Sequence, residues 1–142
     1  MKNPYKKMVE EALKYKKQCS NKILKKGEML PLSNNNEVYK TIYIDLGRKS
    51  GKTEYLRSVL SNNISANILV FDLSTTKEES EFKHFACNNI IIKCSDGHMG
   101  NASSLDFKYI LVDNASKMNK QSIFDWLNKV KATVSDAIIM LG

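Results

Sequence analysis

The sequence predicts an α/β three-layer sandwich with a five-stranded, mainly parallel sheet and an N-terminal amphipathic helix. Three observations carry that prediction. Short apolar runs rich in β-branched residues recur after residue 40, segments of helical periodicity separate them, and 142 residues suit a single compact domain. Strands that are apolar throughout must be covered on both faces, which is the habit of parallel sheets.

The elements follow in order. Asn3-Pro4 reads as a helix start, with Asn as N-cap and Pro at the first helical position, where its missing N–H costs nothing. Tyr5, Met8, Val9, Ala12, Leu13, Cys19, Ile23 and Leu24 keep helical spacing, and most lysines of the segment fall off that face. Gly27 fits a C-terminal cap, and Glu28 to Asn36 reads as a connector. Thr41–Leu46 is a predicted strand, followed by a glycine-containing turn and a helix from about Lys52 to Leu60. Asn67–Leu73 is the second strand. Thr76 and Glu79 have capping-box spacing for a helix reaching about Ala86. Asn89–Lys93 is the third strand, Ser95–Leu105 a loop, and Tyr109–Asp113 the fourth strand. Met118, Asn119 and Ile123 match staple, cap and fourth position of a helix carrying Phe124, Trp126, Leu127 and Val130. Ala137–Leu141 is the fifth strand.

Composition narrows the class. Apolar residues make up 42% and charged residues 26%, enough for a core and unlike a disordered chain. No apolar run approaches the roughly 20 residues of a membrane span, and the N-terminal lysines precede no apolar signal stretch. Neither membrane insertion nor secretion is expected. Cys19, Cys87 and Cys94 are too few and odd in number for a disulfide framework, which points to a reducing, cytoplasmic setting. The net charge of +7 is concentrated: ten lysines face four acidic residues before residue 41. Phosphate-backbone contact by Lys6, Lys7, Lys14, Lys17, Lys22, Lys25 and Lys26 is one explanation, and a solvated helix face is the other.

The motif with chemical content is Leu46-Gly47-Arg48-Lys49-Ser50-Gly51-Lys52-Thr53, set between a strand and a helix. Backbone N–H groups of such a turn, with the helix dipole behind them, cradle anions. Gly51 lets the backbone approach phosphate oxygens, Lys52 reaches the β/γ-phosphates, and Thr53 offers its hydroxyl to Mg²⁺. Leu46 stands where the usual pattern begins with glycine. A second element supports the first: Ile110–Asp113 is an apolar strand ending in a carboxylate suited to Mg²⁺, directly or through water. Both segments end parallel strands, so both belong at one edge of the sheet, where open α/β folds bind ligands.

On these residues the chain resembles the ATPase domain of phage terminase large subunits, the DNA-packaging motors of the P-loop superfamily. Arg48 stands where that family carries an arginine in its phosphate loop. Val112-Asp113-Asn114-Ala115, with Met118 and Phe124-Asp125-Trp126-Leu127, looks like its Mg²⁺-binding (Walker B) strand and following helix. Ile138–Gly142 looks like the strand preceding its coupling segment. The resemblance implies ATP and Mg²⁺ as ligands, with Gly47, Arg48, Lys49, Ser50, Gly51, Lys52 and Thr53 around the nucleotide, and Thr53 and Asp113 at the metal. It implies Arg48 as a sensor of the γ-phosphate and residue 114 as the position facing the attacking water. It also places the Thr41 strand centrally, with the Ala137 strand between it and the Tyr109 strand. Residues 1–36 then form a basic helix and connector, and residues 37–142 a reduced P-loop core.

Two departures matter. The family has Glu at position 114, whereas Asn114 cannot accept a proton, so hydrolysis is expected to be weak or absent unless Asp72 or Asp96 reaches the site. The chain also stops before the coupling motif and nuclease domain, so a complete motor is not expected. A fragment, a diverged phage-encoded relative or a nucleotide-binding module fits, in the host cytoplasm, with DNA, a phage protein or further copies of itself as partners. A non-catalytic nucleic-acid-binding or interaction protein that uses a P-loop scaffold is the alternative. A small-molecule kinase is disfavoured, since only Arg48 and Arg57 are available to line a transfer site. Zinc at His84, Cys87, Cys94 and His98 is disfavoured because a strand separates the cysteines.

Overall fold

A computed structural model describes residues 3–25, 41–47, 51–95, 106–117 and 119–142, with the backbone alone for 16–25. Helix α1 spans Pro4–Lys25. Its start is the predicted one: the Asn3 carboxamide oxygen accepts the Tyr5 N–H at 3.0 Å, meeting a donor that the first turn leaves without an intrahelical partner. Tyr5 and Val9 are buried, with Ala12 and Leu13 packed beside them. Met8 is 40% exposed, so the buried stripe is narrower than the sequence suggests, following the 5, 9, 12, 13 rhythm of one helix face. Lys6, Lys7 and Lys14 are exposed. Lys17, Lys22 and Lys25 lie on the helix with their side chains outside the described residues, as are Lys26 and the Gly27 cap.

The sheet contains β1 (Thr41–Ile44), β2 (Ile68–Asp72), β3 (Ile90–Cys94), β4 (Asp106–Asp113) and β5 (Thr133–Leu141). Its order is β1-β5-β4-β2-β3, and every pairing is parallel. Alternate residues of each strand feed two apolar layers. Leu111, Ile139, Ile68 and Val70 join α1 and helix α2 (Lys52–Asn62) on one side. Ile110, Val112, Ile138 and Phe71 join helix α3 (Lys120–Lys129) on the other. The predicted cap of α3 holds, since Asn119 accepts the Gln121 N–H at 3.0 Å. Met118 lies outside the described residues.

Three expectations are corrected. β5 does lie between β1 and β4, but β1 is an edge strand among the described residues rather than a central one. The burial pattern explains this: β2 is buried at all five positions, whereas only Ile42 of four is buried in β1 and Tyr43 is 40% exposed. The helix expected from Thr76 to Ala86 is instead a series of turns with a short 3-10 segment, Lys83–Phe85. Ser80 accounts for the difference. Its hydroxyl donates to Asp72 at 2.7 Å and accepts the Phe82 N–H at 3.2 Å, so side-chain bonds replace the helical ladder while Phe82 anchors the segment in the core. Finally, β4 and β5 start earlier than their apolar runs, at Asp106 and Thr133, with a register shift between Phe107 and Tyr109.

Candidate functional site

An all-parallel sheet brings its carboxyl ends to one edge, and Thr53 and Asp113 meet there. Gly51 has φ +88°, a backbone state that glycine adopts without strain, and a Cβ on it would sit 2.9 Å from the Asn3 amide nitrogen. That amide donates to the Gly51 carbonyl at 2.9 Å, fastening the start of α1 to the turn that opens α2. Gly51, as the N-cap of α2, makes no side-chain cap hydrogen bond.

Lys52 and Thr53 open α2 side by side and reach different strands. The Lys52 ammonium donates to the Gly142 carbonyl at 3.0 Å, and the Gly142 N–H donates to the Ile44 carbonyl at 2.9 Å. The Thr53 hydroxyl donates to one Asp113 carboxylate oxygen at 3.0 Å, across 60 residues of sequence. The other Asp113 oxygen accepts the Asn114 N–H at 3.0 Å. Burial pushes the Asp113 carboxyl above its ordinary value and the nearby Asp72 charge adds to this, while the bonds from Thr53 and Asn114 and the Lys52 charge oppose it.

Thr53 and Asp113 are residue types that suit Mg²⁺, in donor chemistry and in spacing, for these two oxygens alone. Octahedral Mg²⁺ with metal–oxygen distances of about 2.0–2.1 Å has adjacent ligand oxygens about 2.8–3.0 Å apart. The Thr53 and Asp113 oxygens already stand at that spacing. Both are hard oxygen donors, the type this ion takes.

Asn114 has φ +56°, the left-handed region that asparagine tolerates far better than glutamate. Its amide donates to the Ser74 hydroxyl at 3.1 Å. The backbone conformation thus gives a physical reason for an asparagine where the resembled family has glutamate. Asp72 is buried at the end of β2 and accepts from Ser80, close enough for its charge to act on Asp113.

Among the remaining expected site residues, Gly47 has φ +83° and donates its N–H to Asp45 at 2.9 Å. Arg48, Lys49, Ser50 and Asp96 lie outside the described residues. Arg57 faces Glu81 at 3.9 Å on the exposed side of α2. Exposed Cys87 precedes β3 and buried Cys94 ends it, while His98 lies outside the described residues. Sequence reasoning missed Asn3, Ser74 and Gly142. Asn3 carries a local signal as a cap, but its second partner is 48 residues away and leaves no mark in the pattern. Tyr43 lies under the Lys120 ammonium, 3.8 Å from its ring centre.

No helix among the described residues is long and apolar enough to cross a membrane. Comparisons with family models, curated proteins and solved structures found no match to this chain.

Proposed function

We propose that the chain is a P-loop module that binds ATP with Mg²⁺, hydrolyses it weakly, and serves a DNA-packaging or related DNA transaction. The observation that carries the reading is the Thr53–Asp113 hydrogen bond, because it joins the two sequence elements that each predict half of a nucleotide–Mg²⁺ site. The charged Lys52 at the same edge supports it.

In this reading Lys52 exchanges the Gly142 carbonyl for β/γ-phosphate oxygens, while the N–H groups opening α2 hold the remaining phosphate charge. Thr53 and Asp113 hold the metal, which when bound neutralises charge on the phosphate oxygens. Asn114 orients a water through its amide oxygen and leaves the proton on it, so general-base help of about 10²–10⁴-fold is forgone. Lys6, Lys7 and Lys14, exposed on α1, support contact with a phosphate backbone.

Calorimetry with ATP, with and without Mg²⁺, is the direct test. Metal-dependent binding in the wild type that is lost in Asp113→Ala is expected. No heat at millimolar ATP would leave a non-catalytic scaffold as the better reading, one favoured by the partners that Lys52 and Thr53 already have. Turnover should rise in Asn114→Asp, which supplies a base and keeps a residue suited to positive φ. Asn114→Gln should show no such gain. For DNA, each phosphate contact contributes about −0.9 to the slope of log affinity against log salt, and Lys6→Ala/Lys7→Ala/Lys14→Ala should flatten that slope.

A further inference from the structure

On the α3 side of the same edge lies a cavity of about 420 Å³, within the range of small-molecule sites. Its walls sort into three zones. Phe71, Leu73, Ile123 and Trp126 form an apolar zone; Trp126 meets Phe71 edge to face, ring centres 5.8 Å apart and planes at 87°, which fixes the indole in the wall. Lys93 and Lys117 supply two cations, and no carboxylate is among the described lining residues. Ser74, Asn119 and Ser122 supply hydroxyl and amide groups. A flat ring, a polyhydroxy middle and an anion are the three parts of a mononucleotide.

We propose that this cavity is a second ligand site, for a free nucleoside 5′-monophosphate, with its base against Trp126, its sugar beside Ser74, Asn119 and Ser122, and its phosphate between Lys93 and Lys117. The site is separate from the one built on Lys52 and Thr53 and does not depend on it. Contact between the two exists all the same, because Ser74 in the cavity wall accepts the bond from Asn114, whose N–H binds Asp113. Apart from the Trp126 indole N–H, the described residues of the apolar zone carry no hydrogen-bonding side chain, so the ring contact tolerates different bases.

Trp126 is the only tryptophan in the chain, so its emission reports on this cavity directly. AMP, GMP, CMP, UMP and TMP are each titrated into the wild type and into Lys52→Ala, which disables the other site. Saturable change in emission is expected, of equal affinity in both proteins. Lys117→Ala should weaken it about tenfold or more, the loss of one charge-assisted contact. Ser122→Phe, at an exposed position, should abolish it by filling the cavity. Thymidine and inorganic phosphate should each bind at least tenfold more weakly than TMP. The proposal is overturned if none of the five monophosphates acts at millimolar concentration, or if the response disappears in Lys52→Ala. A response unchanged by both Lys117→Ala and Ser122→Phe overturns it equally, as does one elicited by oligothymidylate alone.

Discussion

The middle of the sheet and its carboxyl edge are built from opposite materials. Across the middle, Ile68, Val70, Leu111 and Ile139 are buried among apolar neighbours on one face, and Ile110, Val112 and Ile138 on the other. At the carboxyl edge the chain buries Asp72, Ser80 and Asp113, which are the buried polar and charged residues among those described. Every buried side-chain polar atom there has a hydrogen-bond partner, yet burial still pushes the Asp113 carboxyl up. Hydrogen bonds satisfy the oxygens without repaying the desolvation of the charge. The middle holds the molecule together, and the buried Asp113 charge at the edge works against it.

The largest effect should come from the middle. Leu111→Ala removes a fully buried side chain and should lower unfolding free energy by about 2–5 kcal/mol, read from the shift of the urea midpoint. Any ATP binding retained by the folded fraction should keep its affinity. Next comes Lys52→Ala, which should weaken ATP binding by about 1.5–3 kcal/mol while leaving the urea midpoint within about 0.5 kcal/mol of wild type. A large stability loss in this variant would make Lys52 a structural tie to Gly142 rather than an edge residue.

Asp113→Asn tests the contrast in the other direction. Since the folded carboxyl titrates above its ordinary value, its contribution to stability is greatest below the unfolded value and declines as pH rises through the folded one. At neutral pH the ionised group therefore opposes folding. Removing that charge should raise stability by about 0.5–2 kcal/mol in metal-free buffer and abolish Mg²⁺-dependent binding. A neutral or destabilised Asp113→Asn chain would erase the distinction between the two regions.

The smallest effect at neutral pH lies between α1 and α2. Burial, together with nearby Tyr109 and Glu10, pushes the Tyr55 phenol up to about 12. Below pH 10 both folded and unfolded phenols are protonated and nothing changes. Between pH 10 and about 12 the unfolded phenol ionises first, so stability falls as pH rises. Tyr55→Phe should flatten that alkaline decline and change the pH 7 midpoint by less than about 1 kcal/mol, since Tyr55 makes its ring contact with Tyr5 at 6.1 Å through carbon.

The strands were legible because β-branched runs and interrupting turns are local signals, and the Asn3 and Asn119 caps were legible for the same reason. The 76–86 segment misled because Thr76 and Glu79 satisfy a local rule that Ser80 overrides through a contact with Asp72, formed only once β2 is in place. Edge placement of β1 was illegible from its own residues, because Thr41–Ile44 is apolar enough for a central strand and pairing is decided by the length and burial of β5. Within the site, the pairing of Thr53 with Asp113 followed from motif order, whereas the positive φ of Asn114 gave no signal beyond the residue type itself.

The strand order has a consequence for how the chain is made. β1 finds its described partner in β5, with Thr41 opposite Ile138, so about two-thirds of the chain's length separates the two. At about 5–20 residues per second, a ribosome emits Ile138 roughly 5–20 s after Thr41. β2, β3 and β4 can pair during that interval, while β1 waits without its sheet partner. The first described strand is therefore among the last to join the sheet, and the Lys52–Gly142 contact closes only once Gly142 has been made.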